Sequence, residues 1–264
     1  MKKINLLFLI ILVFSGCATN PITGKSTMAF IGNNELFAMS FSQYTEFKND
    51  NVVIIGTPEA EMIQRVGTKL VAAANKWVAA EGDPNYFRDY RWEFTLVQDN
   101  TLNAWCMPGG KVVFYTGILP VCLNEDGVAV VMGHEIAHAI LNHGQQRMSG
   151  NILQQLGAIG VSLAFSGSSS ETQALVMLAY GVGSQVGGTL PFSRSHESEA
   201  DDIGLKLMAI AGYNPDEGAQ LWQRMAAATG GGTPEILSTH PSNESRIQNL
   251  RRLAPEARQV AARF

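Results

Sequence analysis

The sequence predicts an α+β fold that is mainly α-helical and contains one small β-sheet. Apolar residues recur at helical spacing over residues 33–49 and 58–80, and the pattern is helical again from Asn124 to the C-terminus. Between these regions, residues 91–119 are rich in β-forming residues and include a Pro-Gly-Gly turn, which is typical of short strands. A chain of 264 residues, 46% of them hydrophobic and 16% charged, is long enough for one sizeable core or two small domains.

The first residues, MKKINLLFLIILVFSGC, predict a secretory signal rather than part of the fold. Two lysines precede an apolar run that is too short for a typical transmembrane helix. The run ends in small residues and Cys17, as in a bacterial lipoprotein box, and this resemblance implies cleavage before Cys17 and attachment of lipid to it. We therefore expect residues 1–16 to be a signal peptide and residues 17–32 to be the lipidated cysteine and a tether. An ordinary cleaved signal beside an unmodified cysteine is the alternative.

The same resemblance indicates where the protein works. Ala18 follows the cysteine, which favours the outer membrane of a Gram-negative cell and hence a periplasmic location. In such an oxidising compartment Cys106 and Cys122 could form a disulfide, and the sequence leaves open whether they do or remain free buried thiols. The formal net charge of −4 is too small to indicate a nucleic-acid partner.

The predicted elements have local signals at their ends. Asn34 can cap the first helix, and Pro58 occupies the position that a helix favours for its first residue, so that the second helix runs to near Gly82. Residues 91–99 predict a strand, and Lys111–Tyr115 predicts the second strand of a hairpin that turns at Pro-Gly-Gly.

A later segment, residues 152–190, is apolar and rich in small residues. Polar side chains interrupt each run before about 18 apolar residues are reached, so the segment is not expected to span a membrane. We expect a pair of buried helices packed on the preceding helix, and a mobile lid hinged at the glycines is a second, compatible interpretation.

The stretch HEIAH predicts a metal site. His134 and His138 are four residues apart, which is about 40° around a helix axis, so both imidazoles lie on one face and suit Zn²⁺. Glu135 lies beside them and can take a proton from water at the metal and pass it to a leaving amine. The alternative is a pair of core histidines beside a surface glutamate.

A third histidine, His143, lies five residues after HEIAH and is not expected to bind the metal. It lies about 180° around the helix from His134, so it is predicted to face away from the metal. We expect a last-turn histidine that the helix dipole favours, with Gly144 as the C-terminal cap.

The remaining protein ligand is expected from the acidic stretch SRSHESEADDIGLKLM. Glu197 and Asp201 are four residues apart and share a helix face, whereas Glu199 points about 200° away from Glu197. One carboxylate can bind zinc, while a second, one turn later, accepts the free ring N–H of a zinc histidine and fixes its tautomer. We therefore predict Glu197 as a ligand and Asp201 as an orienting partner. A solvated acidic helix start is the alternative.

Three motifs together resemble a known family. HEIAH, SRSHESEAD and NAWCMPGGKVVFYTGIL are similar to motifs of the zinc metallopeptidases that include HtpX, the mitochondrial Oma-type proteases and the CAAX prenyl proteases. The family patterns match Ser193, Arg194, Glu197 and Asp201 in one motif and Asn103, Ala104, Pro108, Gly109 and Gly110 in another. The similarity runs from about residue 20 to about residue 250 and favours the periplasmic lipoprotein branch of BepA and LoiP type, which also begins C-A-T-N-P-x-T-G.

The resemblance implies a zincin-type (gluzincin) peptidase domain over residues 33–264, with one Zn²⁺ per chain and the small sheet packed beside the HExxH helix. The strand Lys111–Tyr115 is our candidate for holding an extended substrate by β-addition, and an ordinary packed strand is the alternative. The predicted substrate-binding residues are Asn103, Gly109, Gly110, Lys111, Val112 and Val113.

A loop near the C-terminus, STHPSNESRIQNL, is implied to approach the same site. His240 is then a switch ligand that fills the open metal position at rest, or a hydrogen-bond donor in the transition state, and a surface turn histidine is the alternative. Arg194 and Arg246 are predicted to orient active-site carboxylates or to stabilise the oxyanion.

Two functions follow from these predictions. The first is a lipid-anchored zinc endopeptidase with Glu135 as general base and acid. Its expected substrates are misfolded or stalled cell-envelope proteins, and its expected partners include other envelope assembly proteins. The second is a chaperone-like binding module whose zinc site His240 largely closes. No G-x-S-x-G motif supports a serine hydrolase.

Overall fold

The computed structural model describes residues 17–164, 166–170, 172–174, 176, 190–228, 236, 240 and 244–264. The predicted signal peptide, residues 1–16, lies outside the described residues. The elements, in chain order, are β1 (Cys17–Thr19), β2 (Ser26–Met28), α1 (Asn33–Asp50), β3 (Val53–Ile54), α2 (Pro58–Ala80), β4 (Glu93–Val97), β5 (Ala104–Met107), β6 (Lys111–Tyr115), α3 (Leu119–Cys122), α4 (Glu125–Ile140), α5 (His143–Ala164), α6 (Leu190–Ile210), α7 (Glu217–Ala227) and α8 (Glu244–Ala261). A mainly helical chain with a small sheet confirms the predicted α+β class.

The four-stranded sheet has the order β3-β4-β6-β5. Strands β4 and β6 are parallel and pair from Glu93 with Lys111 to Val97 with Tyr115, whereas β5 pairs antiparallel with the other side of β6. The strand β6 is therefore hydrogen-bonded on both sides, and β5 forms the edge of the sheet. The pair β1–β2 is a separate antiparallel ribbon.

The predicted hairpin between β5 and β6 is confirmed, and its glycines are required by the turn. Gly109 and Gly110 have φ angles of +81° and +95°, in the left-handed region that residues with a Cβ avoid. A Cβ at these positions would also lie 2.8 Å from Phe41 and 2.7 Å from Trp92, respectively.

The helix starts are partly as predicted. Pro58 begins α2, and Thr57 caps it by accepting a hydrogen bond from the backbone N–H of Ala60. The predicted cap at Asn34 is wrong, because α1 begins at Asn33 and the residue before it is Gly32.

The centre of the fold is α4, whose residues from Gly127 to Ile140 are all buried. Helices α2 and α6 and the edge strand β5 contact it, and α8 packs in turn on α6. Because every face of α4 is covered, polar side chains on this helix are removed from bulk water.

Helices α4 and α6 approach each other most closely at two glycines. A Cβ at Gly133 would lie 2.9 Å from the carbonyl oxygen of Gly204, and a Cβ at Gly204 would lie 2.9 Å from the backbone of Gly133 and His134. Any side chain larger than a hydrogen atom at either position would therefore push the two backbones apart. The contact fixes α6 beside the HExxH motif.

The end of α4 differs from the prediction. The helix ends at Ile140, and Asn142 adopts a left-handed conformation with φ of +56°. A new helix, α5, begins at His143 and continues through Gly144. His143 is therefore the first residue of α5 rather than a last-turn residue of α4, and Gly144 is not a cap.

The predicted burial of residues 152–190 is wrong for their first part, which belongs to α5. The side chains of Leu153, Leu156, Ile159 and Leu163 are exposed. The stretch 177–189 lies outside the described residues, so the lid interpretation stays a prediction. No helix in the described part of the chain is both long and apolar enough to cross a membrane.

Residues 17–32 were expected to form a tether, and instead they are docked on the domain. The Asn20 side chain is buried and donates a hydrogen bond to the carbonyl of Ile140, the last residue of α4. The backbone N–H of Phe30 donates to Ser149 Oγ on α5. This segment therefore belongs to the folded domain.

We predict that Gly204→Ala destabilises the protein by about 1–3 kcal/mol, because the added methyl group meets the α4 backbone rather than a movable side chain. Thermal or urea unfolding measures the effect. Gly150→Ala is the matched control, since a Cβ at this helical glycine meets no atom within 4 Å. It should leave stability unchanged or raise it by up to about 1 kcal/mol. Equal stability of the two variants would contradict the close approach.

Candidate metal centre

The HExxH motif places three buried polar side chains on α4. His134, Glu135 and His138 are all less than a tenth exposed. The Nε2 atoms of His134 and His138 lie 3.1 Å apart, which confirms that the two imidazoles point to one place.

The helix α6 brings the predicted glutamate to the same place. Glu197 Oε2 lies 3.3 Å from Nε2 of His134, and Glu197 Oε1 lies 3.2 Å from Nε2 of His138. One carboxylate therefore faces both imidazoles.

A fourth candidate ligand, His240, completes the cluster. Its Nδ1 atom lies 3.0 Å from both oxygens of Glu197 and 3.1 Å from His134 Nε2. Its Nε2 atom lies 3.4 Å from Oε1 of Glu135. His240 is buried, so the alternative of a surface turn histidine is wrong.

The four side chains fit a tetrahedral zinc ion. One ligand atom from each of His134, His138, Glu197 and His240 lies within 4.8 Å of the others. Zinc bonds of about 2.0–2.1 Å place the ligands of a tetrahedron about 3.3 Å apart, close to the separations above. Three imidazole nitrogens and one carboxylate are also a donor set that suits zinc. The cofactor of this buried cluster is therefore Zn²⁺.

A second carboxylate on α6 orients the cluster. Asp201 Oδ1 lies 3.0 Å from Nδ1 of His134, as the sequence predicted. Arg246 from α8 holds Asp201 from the other side, with Nη2 donating to Oδ1 at 2.7 Å and Nε to Oδ2 at 2.9 Å. The Arg246 guanidinium stacks on the Trp222 ring, 3.6 Å from its centroid, which restricts the orientation of the guanidinium.

The charges of the cluster follow from these contacts. Burial tends to lower the pKa of His134, but hydrogen bonds to Asp201 and Glu197 outweigh it and raise this pKa to about 9. At His138 burial dominates and lowers the pKa well below its ordinary value. Burial tends to raise the pKa of Glu197, but its hydrogen bonds to the surrounding histidines hold it well below its ordinary value. Without metal, His134 therefore carries the proton and Glu197 is ionised.

His143 does not face away from the site, and this corrects the sequence prediction. Its Nδ1 atom lies 2.9 Å from Nδ1 of His138, and its Nε2 atom lies 3.2 Å from Oε2 of Glu199. The prediction assumed one continuous helix, whereas the turn at Asn142 redirects the chain and returns the His143 ring towards His138.

The two predicted arginines have different positions. Arg246 is buried among the carboxylates, as described above, whereas the Arg194 side chain is exposed. Among the described residues, no contact joins Arg194 to the cluster. The structure therefore brings only Arg246 to the site.

The predicted substrate strand is wrong, because β6 has no free edge. Lys111, Val112 and Val113 are buried and lie between β4 and β5. Asn103 is also buried, and its Oδ1 atom accepts a hydrogen bond from its neighbouring backbone N–H at Ala104. Gly109 and Gly110 serve the hairpin turn, so their left-handed conformation is structural.

The strand beside the HExxH helix is instead β5, at the edge of the sheet. Burial raises the pKa of the Cys106 thiol on this strand, and the nearby Glu135 carboxylate raises it further. Cys106 and Cys122 are both free thiols.

Sequence reasoning missed Trp222 and the contact of His143 with His138. Trp222 lies on the buried face of α7, with its ring centroid 6.2 Å from that of His134. A tryptophan on the apolar face of an amphipathic helix signals burial in the sequence, but nothing in that signal relates it to a histidine about ninety residues earlier.

A buried HExxH helix that meets a glutamate from a second helix beside a small sheet defines a zincin-type metallopeptidase domain. Residues 59–254 match the family described as peptidase family M48, and the chain belongs to that family.

Individual relatives agree with this membership. The chain is similar to mitochondrial metalloendopeptidase OMA1 of Schizosaccharomyces pombe, with 39% identity over 171 residues that cover 64% of this chain and 48% of the relative. It is 29% identical to human mitochondrial metalloendopeptidase OMA1 over 274 residues, which cover 98% of this chain and 50% of the relative. The β-barrel assembly-enhancing protease of Escherichia coli is 29% identical over 207 residues, 75% of this chain and 39% of the relative. The chain thus spans about half the length of the fission yeast and human relatives.

These comparisons contradict the predicted location at the outer membrane in a Gram-negative periplasm. Relatives from yeasts, animals and Arabidopsis thaliana are named as mitochondrial enzymes. The narrower resemblance to the BepA and LoiP branch also gains no support, because those bacterial matches are more distant than the fission yeast one. Lipid attachment at Cys17 stays a prediction.

We predict that zinc binding to the metal-free protein releases about one proton near pH 8, because His134, with a pKa of about 9, must lose a proton to act as a ligand. Protons compete with the metal, so zinc affinity should fall as the pH is lowered below about 9. Calorimetric titration in two buffers with different ionisation enthalpies measures the release. It should decline above pH 9, and identical heats in both buffers at pH 8 would contradict the protonated His134.

Proposed function

We propose that this chain is a zinc-dependent endopeptidase that hydrolyses peptide bonds with water, with Glu135 as general base and then general acid. One observation carries the proposal. Glu135 is buried beside the cluster, and its Oε1 atom accepts no hydrogen bond within the described part of the chain. His240 Nε2 lies 3.4 Å from this oxygen but forms no hydrogen bond with it. A buried carboxylate oxygen that makes no hydrogen bond is costly unless it has a function, and a general base needs a free lone pair.

The other side chains hold this arrangement in place. In the proposal His134, His138 and Glu197 bind zinc, which when present polarises a peptide carbonyl and lowers the pKa of water. Glu135 takes the proton from the attacking water and passes it to the departing amine. Asp201 accepts the N–H of His134, and Arg246 holds Asp201 in position, so that His134 presents Nε2 to the cluster.

The edge strand β5 supports a proposal for the substrate. It adjoins α4, and the side away from β6 pairs with no strand among the described residues. An extended peptide can add to such an edge through main-chain hydrogen bonds, which do not depend on the peptide sequence. Unfolded or misassembled proteins expose extended segments of this kind, so we propose them as the substrate class. The name of the Escherichia coli relative, which refers to enhanced β-barrel assembly, is compatible with such a class.

A second candidate function is a binding module with a closed zinc site. The observation that favours it is the position of His240, which offers a fourth ligand and leaves no open position in this conformation. Structural zinc sites are closed by four protein ligands, whereas catalytic sites keep one position for water or substrate. For the proposed peptidase, His240 must leave the cluster before substrate binds.

We predict that Glu135→Gln retains zinc but lowers kcat on an unfolded protein substrate by roughly 10²–10⁴-fold, because the amide cannot accept the proton from water. Metal analysis and a gel-based cleavage assay measure both quantities. Glu125→Gln is the matched control, since Glu125 begins the same helix and pairs with Arg65 at the surface.

The control variant should keep kcat within about twofold of the wild-type value, as is usual for a surface substitution. Retained zinc with equal kcat in wild type and Glu135→Gln would exclude the proposed mechanism. A wild-type protein that contains zinc but cleaves nothing would favour the binding module.

We predict that His240→Ala raises kcat/KM roughly tenfold. This value assumes that His240 occupies the fourth metal position in about nine-tenths of the substrate-free molecules, because the substitution makes that position available in all of them. Zinc affinity should decrease at the same time, since one ligand is lost. Cleavage kinetics and chelator competition measure the two effects. A large fall in kcat/KM with unchanged zinc affinity would instead assign His240 as a donor in the transition state.

A further inference from the structure

The ring nitrogen of His138 that faces away from the cluster has an unusual partner. Its Nδ1 atom meets Nδ1 of His143 at 2.9 Å, while its Nε2 atom faces His134 and Glu197. Metal-binding histidines usually donate their second N–H to a carboxylate or a carbonyl, as His134 does to Asp201. His138 meets another imidazole instead.

Two further contacts hold the His143 ring in place. It is fully buried, and the His196 ring stacks on it with centroids 4.1 Å apart and planes 10° apart. Its Nε2 atom faces Oε2 of Glu199, and Oε1 of Glu199 accepts from Lys25 Nζ at 2.7 Å. Lys25 is 63% exposed, so its ion pair adds little by itself.

These contacts determine which nitrogens carry protons. An ionised Glu199 only accepts hydrogen bonds, so the His143 Nε2 that faces it carries a proton. A neutral His143 then has a lone pair on Nδ1, and this lone pair accepts the Nδ1–H of His138. The Nε2 atom of His138 is left with its lone pair directed into the cluster.

We propose that His143 is a positioning residue for the metal centre: with Glu199, it fixes the tautomer and orientation of His138, so that His138 presents Nε2 as a ligand. His143 itself binds no metal in this arrangement. The inference shares with the proposed function only the assumption that this cluster binds zinc. A measurement of zinc affinity therefore tests it without any measurement of cleavage.

Zinc affinity of the full chain, measured by competition with a chromophoric chelator, tests the proposal. We expect His143→Leu, which removes the acceptor, to weaken zinc binding by about 10–100-fold. His143→Asn places an amide oxygen near the position of Nδ1 and should restore affinity to within a few-fold of wild type. A folded His143→Leu protein with wild-type affinity, or an Asn variant as weak as the Leu variant, would overturn the proposal.

A second variant keeps the test decisive if His143→Leu fails to fold. Glu199 is partly exposed, and Glu199→Ala removes the acceptor that fixes the His143 tautomer, so zinc affinity should fall several-fold. Asp202→Ala is the matched control, because Asp202 lies on the same helix but pairs with Lys206, and it should not change affinity. Equal affinities of the Glu199 and Asp202 variants would contradict the role of Glu199.

The protonation pattern can also be observed directly. In zinc-loaded protein labelled with ¹⁵N-histidine, long-range ¹H–¹⁵N spectra should show His143 protonated at Nε2 and His138 at Nδ1. A proton on His143 Nδ1 would overturn the proposal. Wild-type protein that binds zinc but cleaves no substrate would refute the proposed function, while the affinities of the variants would still decide this inference.

Discussion

The contact between Gly133 and Gly204 is the constraint on which the metal centre depends. Neither residue has a Cβ, so α4 and α6 pack backbone against backbone directly beside His134. At this separation the carboxylate of Glu197 reaches both imidazoles of the HExxH motif, and Asp201, one turn further along α6, reaches the opposite side of His134. A wider spacing of the helices would separate the carboxylates from the histidines and leave buried charges unpaired, which is costly.

The two histidines of the motif are chemically different, although the sequence makes them equivalent. His134 lies between two carboxylates, which favour its charged form, whereas burial dominates at His138 and favours its neutral form. Arg246 offsets the negative charge of Asp201, and the Trp222 ring excludes water from one face of the guanidinium. The centre therefore combines a charged, carboxylate-rich side with an imidazole side at His143.

Much of this centre was predictable because helical spacing decides which side chains share a face. His134 and His138, and separately Glu197 and Asp201, are four residues apart, and that geometry holds wherever the helix is regular. The same rule failed at His143, because it assumes a continuous helix. Asn142 adopts a left-handed conformation and ends the helix before His143. Asparagine adopts this conformation more readily than most residues do, but its presence alone does not require it.

The order of the strands was not predictable, because pairing depends on long-range contacts that local patterns do not encode. The β-forming residues of Lys111–Tyr115 after the Pro-Gly-Gly turn correctly predicted a strand, but they could not show that β4 would pair with it in parallel and occupy its second edge. The substrate strand was misplaced for that reason. The Cys106 and Cys122 thiols raised a similar question, since bridging depends on a spatial distance that the sequence does not contain.

The docking of residues 17–32 has a mechanical consequence. Asn20 bonds the last carbonyl of α4, and Lys25 bonds the glutamate that faces His143. A pulling force applied to the chain before Cys17 would act first on the β1–β2 ribbon and then, at Asn20, on a hydrogen bond at the end of the HExxH helix. The N-terminal segment and the metal centre are thus joined by a continuous path of contacts, so that tension at the N-terminus would pass from the β1–β2 ribbon to the histidines before it reached the four-stranded sheet.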